Sequence, residues 1–452
     1  MQAKNIPEKW RWFPEARFGM FIHWGPYAQV GRGEQVLIRE WLDHREYAEA
    51  ACRWRPQKFD ARRWAEIAGA GGCRYAVLTT RHHDGYCLWD SRLTDYTSAA
   101  QAPRRDFVAE YVEAFRAAGL RVGLYYSLAD FRVPAYLEGP DINPDGWRDF
   151  CAYVHGQVRE LLTNYGKIDV IWFDGSWPRT REDWRSAELV RMMRGLQPDI
   201  LINNRLGKPA VKSAGPNPYQ NMLEDAGHSR ELGDFGTPEQ HIKAEPDRMW
   251  ESCQVSTWRL WGYTIGEHWR PAELLLDMLV DAASQGGNLL LNVGPDADGV
   301  IPPEFAERSR RIGEWLRVNG EAVYGTEARP LPDMVTMGRL SSRGNNLYLI
   351  LRFWDRRPSL RLPWLQTRVL RAALLGSDQP LRCDQHASEL TIRGLPAEMG
   401  DMLFPVIKLE CDAPPAVHPE IGSKPLWSDH PLCYVPWARR RGESVWVDGA
   451  PR

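Results

Sequence analysis

The chain is predicted to be an α/β protein, a (β/α)8-like (TIM-type) barrel followed by a C-terminal antiparallel β-sandwich. Three observations carry this. Short apolar runs recur along the first three quarters of the chain as unbroken stretches, the pattern of strands buried on both faces of a parallel sheet. Helical periods lie between several of these runs, giving a strand and helix unit of roughly 45 residues, as a barrel requires. Beyond Thr326 the texture turns to short β-rich pieces broken by Pro, Gly and Asp. A doubly wound open sheet is the alternative to the barrel.

In chain order, the expected barrel strands are FGMFIHW (18–24), YAVLTT (75–80), RVGLYYS (121–127), DVIWF (169–173), ILIN (200–203) and NLLLNV (288–293). DFVAEYVEAFRAAG (106–119) and DFCAYVHGQVRELLTNYG (149–166) repeat apolar residues at three- and four-residue spacing and end in glycine, so both read as helices. PAELLLDMLVDAASQGG (271–287) opens on proline and closes on Gly286 and Gly287, as helices do. A missing or irregular barrel helix is expected. GNNLYLILRFW, RVLRAALLG and ELTIRGL supply strands of the second part. The expected divisions are a catalytic barrel over 1–334, a β-sandwich over 335–417 and a Pro-, Trp- and Arg-rich extension over 418–452.

Composition removes several function classes. With 452 residues and a net charge of −2, the chain has no basic field for nucleic acid, and Arg439 to Arg441 read as a solvated tail. No stretch approaches the ~20 apolar residues of a membrane span. MQAKNIPEKWRWF lacks a signal-peptide pattern, so a cytoplasmic location is expected. The eight cysteines include no CxxC pair and read as free thiols. Twenty-one tryptophans favour sugar or aromatic ligands modestly, since most indoles pack cores.

In a barrel, the residues just past each strand's C-terminal end form the site. Here they are His23 and Trp24; Arg81, His82, His83 and Asp84; Tyr125, Tyr126 and Ser127; Asp174; and Asn203, Asn204 and Arg205. Adjacent His82 and His83 point oppositely on an extended backbone, which argues against joint metal ligation. No GxSxG, GxGxxG or GxxxxGK[ST] occurs, removing the nucleophile elbow and the common phosphate loops. Glycoside hydrolysis needs two carboxyl groups, hydroxyl partners and aromatic walls. Asp174 offers one carboxylate and several loop glutamates offer the other.

RFGMFIHWGPYA, TTRHHDGYCLWDS, RDFVAEYVEAFRAAGLRVGLYYS, DVIWFDG, GDFGTPEQ, WESC, WGY and NLLLNVGPDADGVIPPEF, in this order, resemble the family 29 glycoside hydrolases, the retaining α-L-fucosidases. The similarity spans roughly residues 7 to 330 and continues weakly beyond. It implies hydrolysis of terminal α-L-fucose from fucosylated glycans by double displacement, with no metal or cofactor. By the same resemblance Asp174 is the nucleophile and Glu239 the acid/base, with Glu251 second and Glu224 third. His23, Glu40 before Trp41, His82, His83, Tyr125 and Arg205 match positions that hold fucose, while Trp172 and Trp261 match positions near the sugar. A general acid is further expected on a partly apolar, mobile loop near Asp174. A related sugar, an α-L-galactoside or β-L-arabinoside, and an inactive sugar-binding protein are the rival readings. Oligomeric state, linkage and aglycone are not legible.

Overall fold

A computed structural model describes residues 6–209, 231–245, 247–329, 338–354, 356–363, 365–398 and 403–416. The chain divides into two compact units, Met1–Arg317 and Val318–Arg452. The expected boundary near 335 falls within 330–337, outside the described residues, and so does the extension over 418–452.

The first unit is an eight-stranded parallel sheet: β1 Phe18–Ile22, β2 Tyr75–Arg81, β3 Arg121–Ser127, β4 Val170–Asp174, β5 Leu201–Ile202, β6 Phe235–Gly236, β7 Met249–Val255 and β8 Asn288–Val293. Its order is β5-β4-β3-β2-β1-β8-β7-β6, and a parallel bridge between Asn203 and Phe235 joins the two ends. The sheet therefore closes, which decides for the barrel over the open sheet. The strands β1, β2 and β8 are buried along their whole length, as their unbroken apolar runs require.

Alternate residues point into the barrel. Phe21, Tyr75, Val77, Tyr125, Val170, Trp172, Leu201, Met249, Cys253 and Leu290 pack there, with Phe13 and Ala16 of the helix Trp12–Ala16 joining the same cluster. The same inward rows continue to His23 after Phe21, Asp174 after Trp172, and Asn292 after Leu290. A site built on these rows inherits the rigidity of the core.

Helices Ala61–Ala70, Phe107–Ala117, Pro144–Asn164, Ser186–Leu196 and Ala272–Ser284 connect strands, and Pro303–Asn319 follows β8. Asp60 and Asp106 cap the first two by accepting backbone N–H groups. The third begins earlier than its apolar period suggests, because Asn143 accepts the Gly146 N–H and Pro144 takes the first helical position. Among the described residues, no helix separates β6 from β7.

The second unit holds β9 Gly338–Arg343, β10 Asn346–Leu351, β11 Ser359–Pro363, β12 Val369–Leu374, β13 Arg382–His386, β14 Glu389–Arg393 and β15 Val406–Cys411. They form two antiparallel sheets, β12-β15-β10-β9 and β11-β14-β13. Leu347, Leu349 and Leu409 of one sheet share a core with Leu362, Leu390 and Ile392 of the other, as in a sandwich.

Candidate active site

Asp174 ends β4 on the inward row of Val170 and Trp172. Gly175 follows at φ +71, where an added Cβ would sit 2.9 Å from both Ala129 Cβ and Ser127 Oγ, so the turn that presents the carboxylate needs glycine. Tyr125 donates its hydroxyl to Asp174 Oδ2 at 3.1 Å, and Arg205 Nη1 donates to Oδ1 at 3.2 Å. Burial alone would raise this carboxyl, but Arg205, His83, the Gly175 N–H and Tyr125 together hold it below the usual range. Asp174 is thus kept ionised.

The same Arg205 nitrogen donates to Glu239 Oε2 at 2.9 Å. The two carboxylate oxygens sharing it can then be no more than about 6 Å apart, which fits the ~5–5.5 Å pair of a retaining glycosidase. The Glu239 side chain is 41% exposed, so it can meet solvent and ligand. Its backbone is pinned rather than mobile: Cys253 donates its N–H to Pro238 O, and Gln240 donates to Cys253 O. The loop expected to carry the general acid is therefore tied to β7 on both sides of Glu239.

Glu251 is the opposite case. Burial pushes it up to about 7, the range suited to a general acid, yet it is 0% exposed. Trp172 Nε1 and the Tyr75 hydroxyl donate to its two oxygens at 2.8 and 2.5 Å. Its side-chain bonds go to Trp172, the residue two before Asp174 on β4, and to Tyr75 at the start of β2. Geometry outranks titration here, and Glu251 belongs to the barrel core. Glu224 lies outside the described residues.

The imidazoles converge beside Asp174. His23 Nδ1 lies 2.6 Å from Asn292 Oδ1, and Asn292 gives its amide N–H to Trp261 O at 2.7 Å. The Asn oxygen therefore faces His23, so Nδ1 carries the proton and Nε2 is left as an acceptor. Ser127 donates its hydroxyl to Ala129 O, so it accepts from His83 Nδ1 at 2.7 Å. His83 Nε2 then faces Asp174 Oδ2 at 3.7 Å. Burial lowers both rings, His23 to about 3 and His83 to about 4, although Asp174 opposes the shift. Both are neutral near pH 7. His82 stacks on Tyr125 at 5.6 Å and 10°, and its Nδ1 is buried without a hydrogen-bond partner.

Aromatic rings enclose this cluster. Trp261 packs on His23 at 5.1 Å, and Trp177 meets His83 edge-on at 5.3 Å. Trp172 is buried beneath Tyr125 and Arg205, which makes it the floor. The remaining residues of RHHDGYCLWDS hold the turn. Arg81 pairs with Asp130, while Asp84 accepts the Tyr47 hydroxyl and the Tyr86 N–H.

Two expected residues are not brought in. Glu40 pairs with Arg32 at 2.7 Å, and Trp41 is 92% exposed at φ +54. Val36 and Leu37 pack on Tyr27 and Tyr47, which turns the far side of that segment outward. The buried acid of this loop is Glu34, whose Oε2 accepts the N–H groups of Trp261 and Gly262 at 3.0 and 2.9 Å. Sequence reasoning missed it, together with Asn292 and Thr237. The one available signal was the GRGE turn, with Gly31 and Gly33 both at positive φ.

Among the described residues, no three His, Cys, Asp or Glu side chains group as metal ligands, and no helix is long and apolar enough to cross a membrane. Two carboxylates bridged by one arginine, beside neutral imidazoles and indoles at the C-terminal mouth of a parallel barrel, define a site of the glycoside hydrolase class. Residues 2–321 match the family described as Alpha-L-fucosidase, and the chain belongs to that family. It is 30% identical to the tissue alpha-L-fucosidase of Bos taurus over 82% of this chain and 81% of that protein. Alpha-L-fucosidase isoenzyme 1 from Paenibacillus thiaminolyticus superposes with a TM-score of 0.79 at 36% identity, covering 90% of this chain and 99% of that one. A GH29 alpha-L-fucosidase from Bacteroides thetaiotaomicron, solved as a trapped covalent intermediate with 2-fluoro-fucosyl fluoride, gives 0.81 at 26% identity, covering 90% and 97%.

Proposed function

We propose that the protein is a retaining α-L-fucosidase that releases terminal α-L-fucose from fucosylated carbohydrate through a fucosyl-Asp174 ester. The observation that carries this is the Asp174 and Glu239 pair on one Arg205 nitrogen, whose spacing suits a covalent double displacement. The Asp174 carboxylate attacks the anomeric carbon as its bond to the aglycone oxygen breaks, and the Glu239 carboxyl gives that oxygen a proton. Water then attacks the same carbon, giving its proton to Glu239 and freeing Asp174. His23 Nε2 and His83 Nε2 are acceptors for sugar hydroxyls, and Trp261 offers an apolar wall for the C5 methyl.

A panel of nitrophenyl α-L-fucoside, α-L-galactoside and β-L-arabinoside tests the assignment. The fucoside should be turned over with the highest kcat/KM. Faster turnover of either rival would reassign the sugar, and no turnover of any would leave a binding protein.

A further inference from the structure

We infer that Arg205 is a positioning residue for the two carboxylates, not a holder of sugar hydroxyls: its Nη1 balances the negative charge as this moves from Asp174 to Glu239 during the reaction. The inference rests on the function proposed above.

A guanidinium has five N–H groups. Here every one is directed at protein. Nε donates to Thr237 Oγ1 at 2.9 Å, and Nη2 donates to Thr237 O at 3.1 Å, with a longer contact to Cys253 Sγ at 3.8 Å. Nη1 spends its pair on Asp174 and Glu239. Thr237 in turn gives its hydroxyl proton to Asn204 Oδ1, so its oxygen must accept from Arg205. The plane lies over the Trp172 ring at 4.7 Å, and Arg205 is 4% exposed. A sugar hydroxyl would have to displace one of these bonds.

The charge count gives the arrangement its use. Before attack, Asp174 is an anion and Glu239 carries a proton. After attack, Asp174 is a neutral ester and Glu239, having given its proton to the leaving oxygen, is the anion. The pair holds one negative charge in both states, and one nitrogen contacts both carriers. Arg205 therefore favours ionised Asp174 in the first step and ionised Glu239, the base, in the second. The other groups around Asp174 are His83, Tyr125, His23 and Tyr136; around Arg205 they are Cys253 and Glu251. Among the described residues, Arg205 is the cation that bonds Asp174.

The test compares Arg205→Met and Arg205→Lys with the unaltered protein, using dinitrophenyl α-L-fucoside and inhibition by free L-fucose. Arg205→Met should move the acidic limb of kcat/KM up by about one pH unit or more, since Asp174 loses its cation. It should lower kcat with a burst of dinitrophenol, because the ester accumulates when Glu239 is a poorer base. Inhibition by fucose should change less than about threefold, as fits a residue whose N–H groups do not reach the sugar. Arg205→Lys should return the limb most of the way, because the charge is restored. An unmoved limb with fucose inhibition weakened tenfold or more would overturn the inference and make Arg205 a sugar ligand. Should Arg205→Met fail to fold, Arg205→Gln is read in the same way: the acidic limb should rise with fucose inhibition changed less than about threefold, and an unmoved limb with weakened fucose inhibition would overturn the inference. Absence of any α-L-fucoside turnover by the unaltered protein would instead remove the functional reading beneath it.

Discussion

Glu239 and Glu251 show what a residue's surroundings decide. Glu251 has the titration expected of a general acid but both oxygens are bonded inside the barrel, whereas Glu239 reaches solvent and shares Arg205 with Asp174. Glu239→Ala should therefore slow fucosides with poor leaving groups by about 100-fold or more and leave dinitrophenyl fucoside far less affected, with the alkaline limb lost. Steady-state kinetics across leaving groups check this, and the same pattern in a Glu251 variant would exchange the roles. Glu251 makes its own prediction. Its folded carboxyl titrates at about 7, against 4.5 for an ordinary glutamate, so the native state keeps a proton that the unfolded chain has lost. Stability should fall as pH rises from about 4.5 to about 7 and level off above, by a few kcal/mol in all. Glu251→Gln can keep both bonds, with its amide oxygen toward Trp172 and its N–H toward the Tyr75 hydroxyl. Urea unfolding of this variant should show that fall largely removed; an unchanged slope would mean the carboxyl is not buried neutral.

At the level of elements, legibility followed polarity. Strands with unbroken apolar runs, such as FGMFI and NLLLNV, were readable because both faces are buried. MWESCQV shows no such run, because its inward row carries Glu251 between Met249 and Cys253 and its outward row carries Ser252 and Gln254; only Trp250 and Cys253 beside Glu251 mark it as part of a buried strand. Phe235–Gly236 is too short to show any period. The loop after β1 is legible only in part: Glu40 stands beside a tryptophan and pairs with Arg32, whereas Glu34 is recognisable only through the backbone N–H groups it meets far along the chain. Strand ends, by contrast, bring His23, His82, His83, Tyr125, Asp174 and Arg205 together, because a barrel gathers those positions whatever their chemistry. The β4 turn gives the element its own test. Gly175→Ala puts a Cβ in a left-handed conformation against Ala129 and Ser127, and should cost about 1–3 kcal/mol and reduce kcat by displacing Asp174. Denaturant midpoints and kcat measured together check it; normal values for both would show that the turn has room to relax.

Across the whole molecule, the site draws side chains from both ends of the sequence. His23 follows the first strand and Asn292 lies in the last, and their bond exists only because β1 pairs with β8. Arg205 and Thr237 follow β5 and β6, where the bridge between Asn203 and Phe235 closes the barrel, so closure and the bridging of the two carboxylates are one event. That is why neither the histidine tautomers nor the role of Arg205 could be read from the sequence. The claim on which everything turns is that Asp174 becomes covalently bonded to the sugar. Brief reaction with 2-fluoro-fucosyl fluoride, followed by acid quench, peptic digestion and tandem mass spectrometry, measures it directly. The account predicts one fluorofucosyl group per chain, located on Asp174, and none in Asp174→Gly; a label on Glu239 or Glu251, or turnover of the reagent with no label at all, would contradict it.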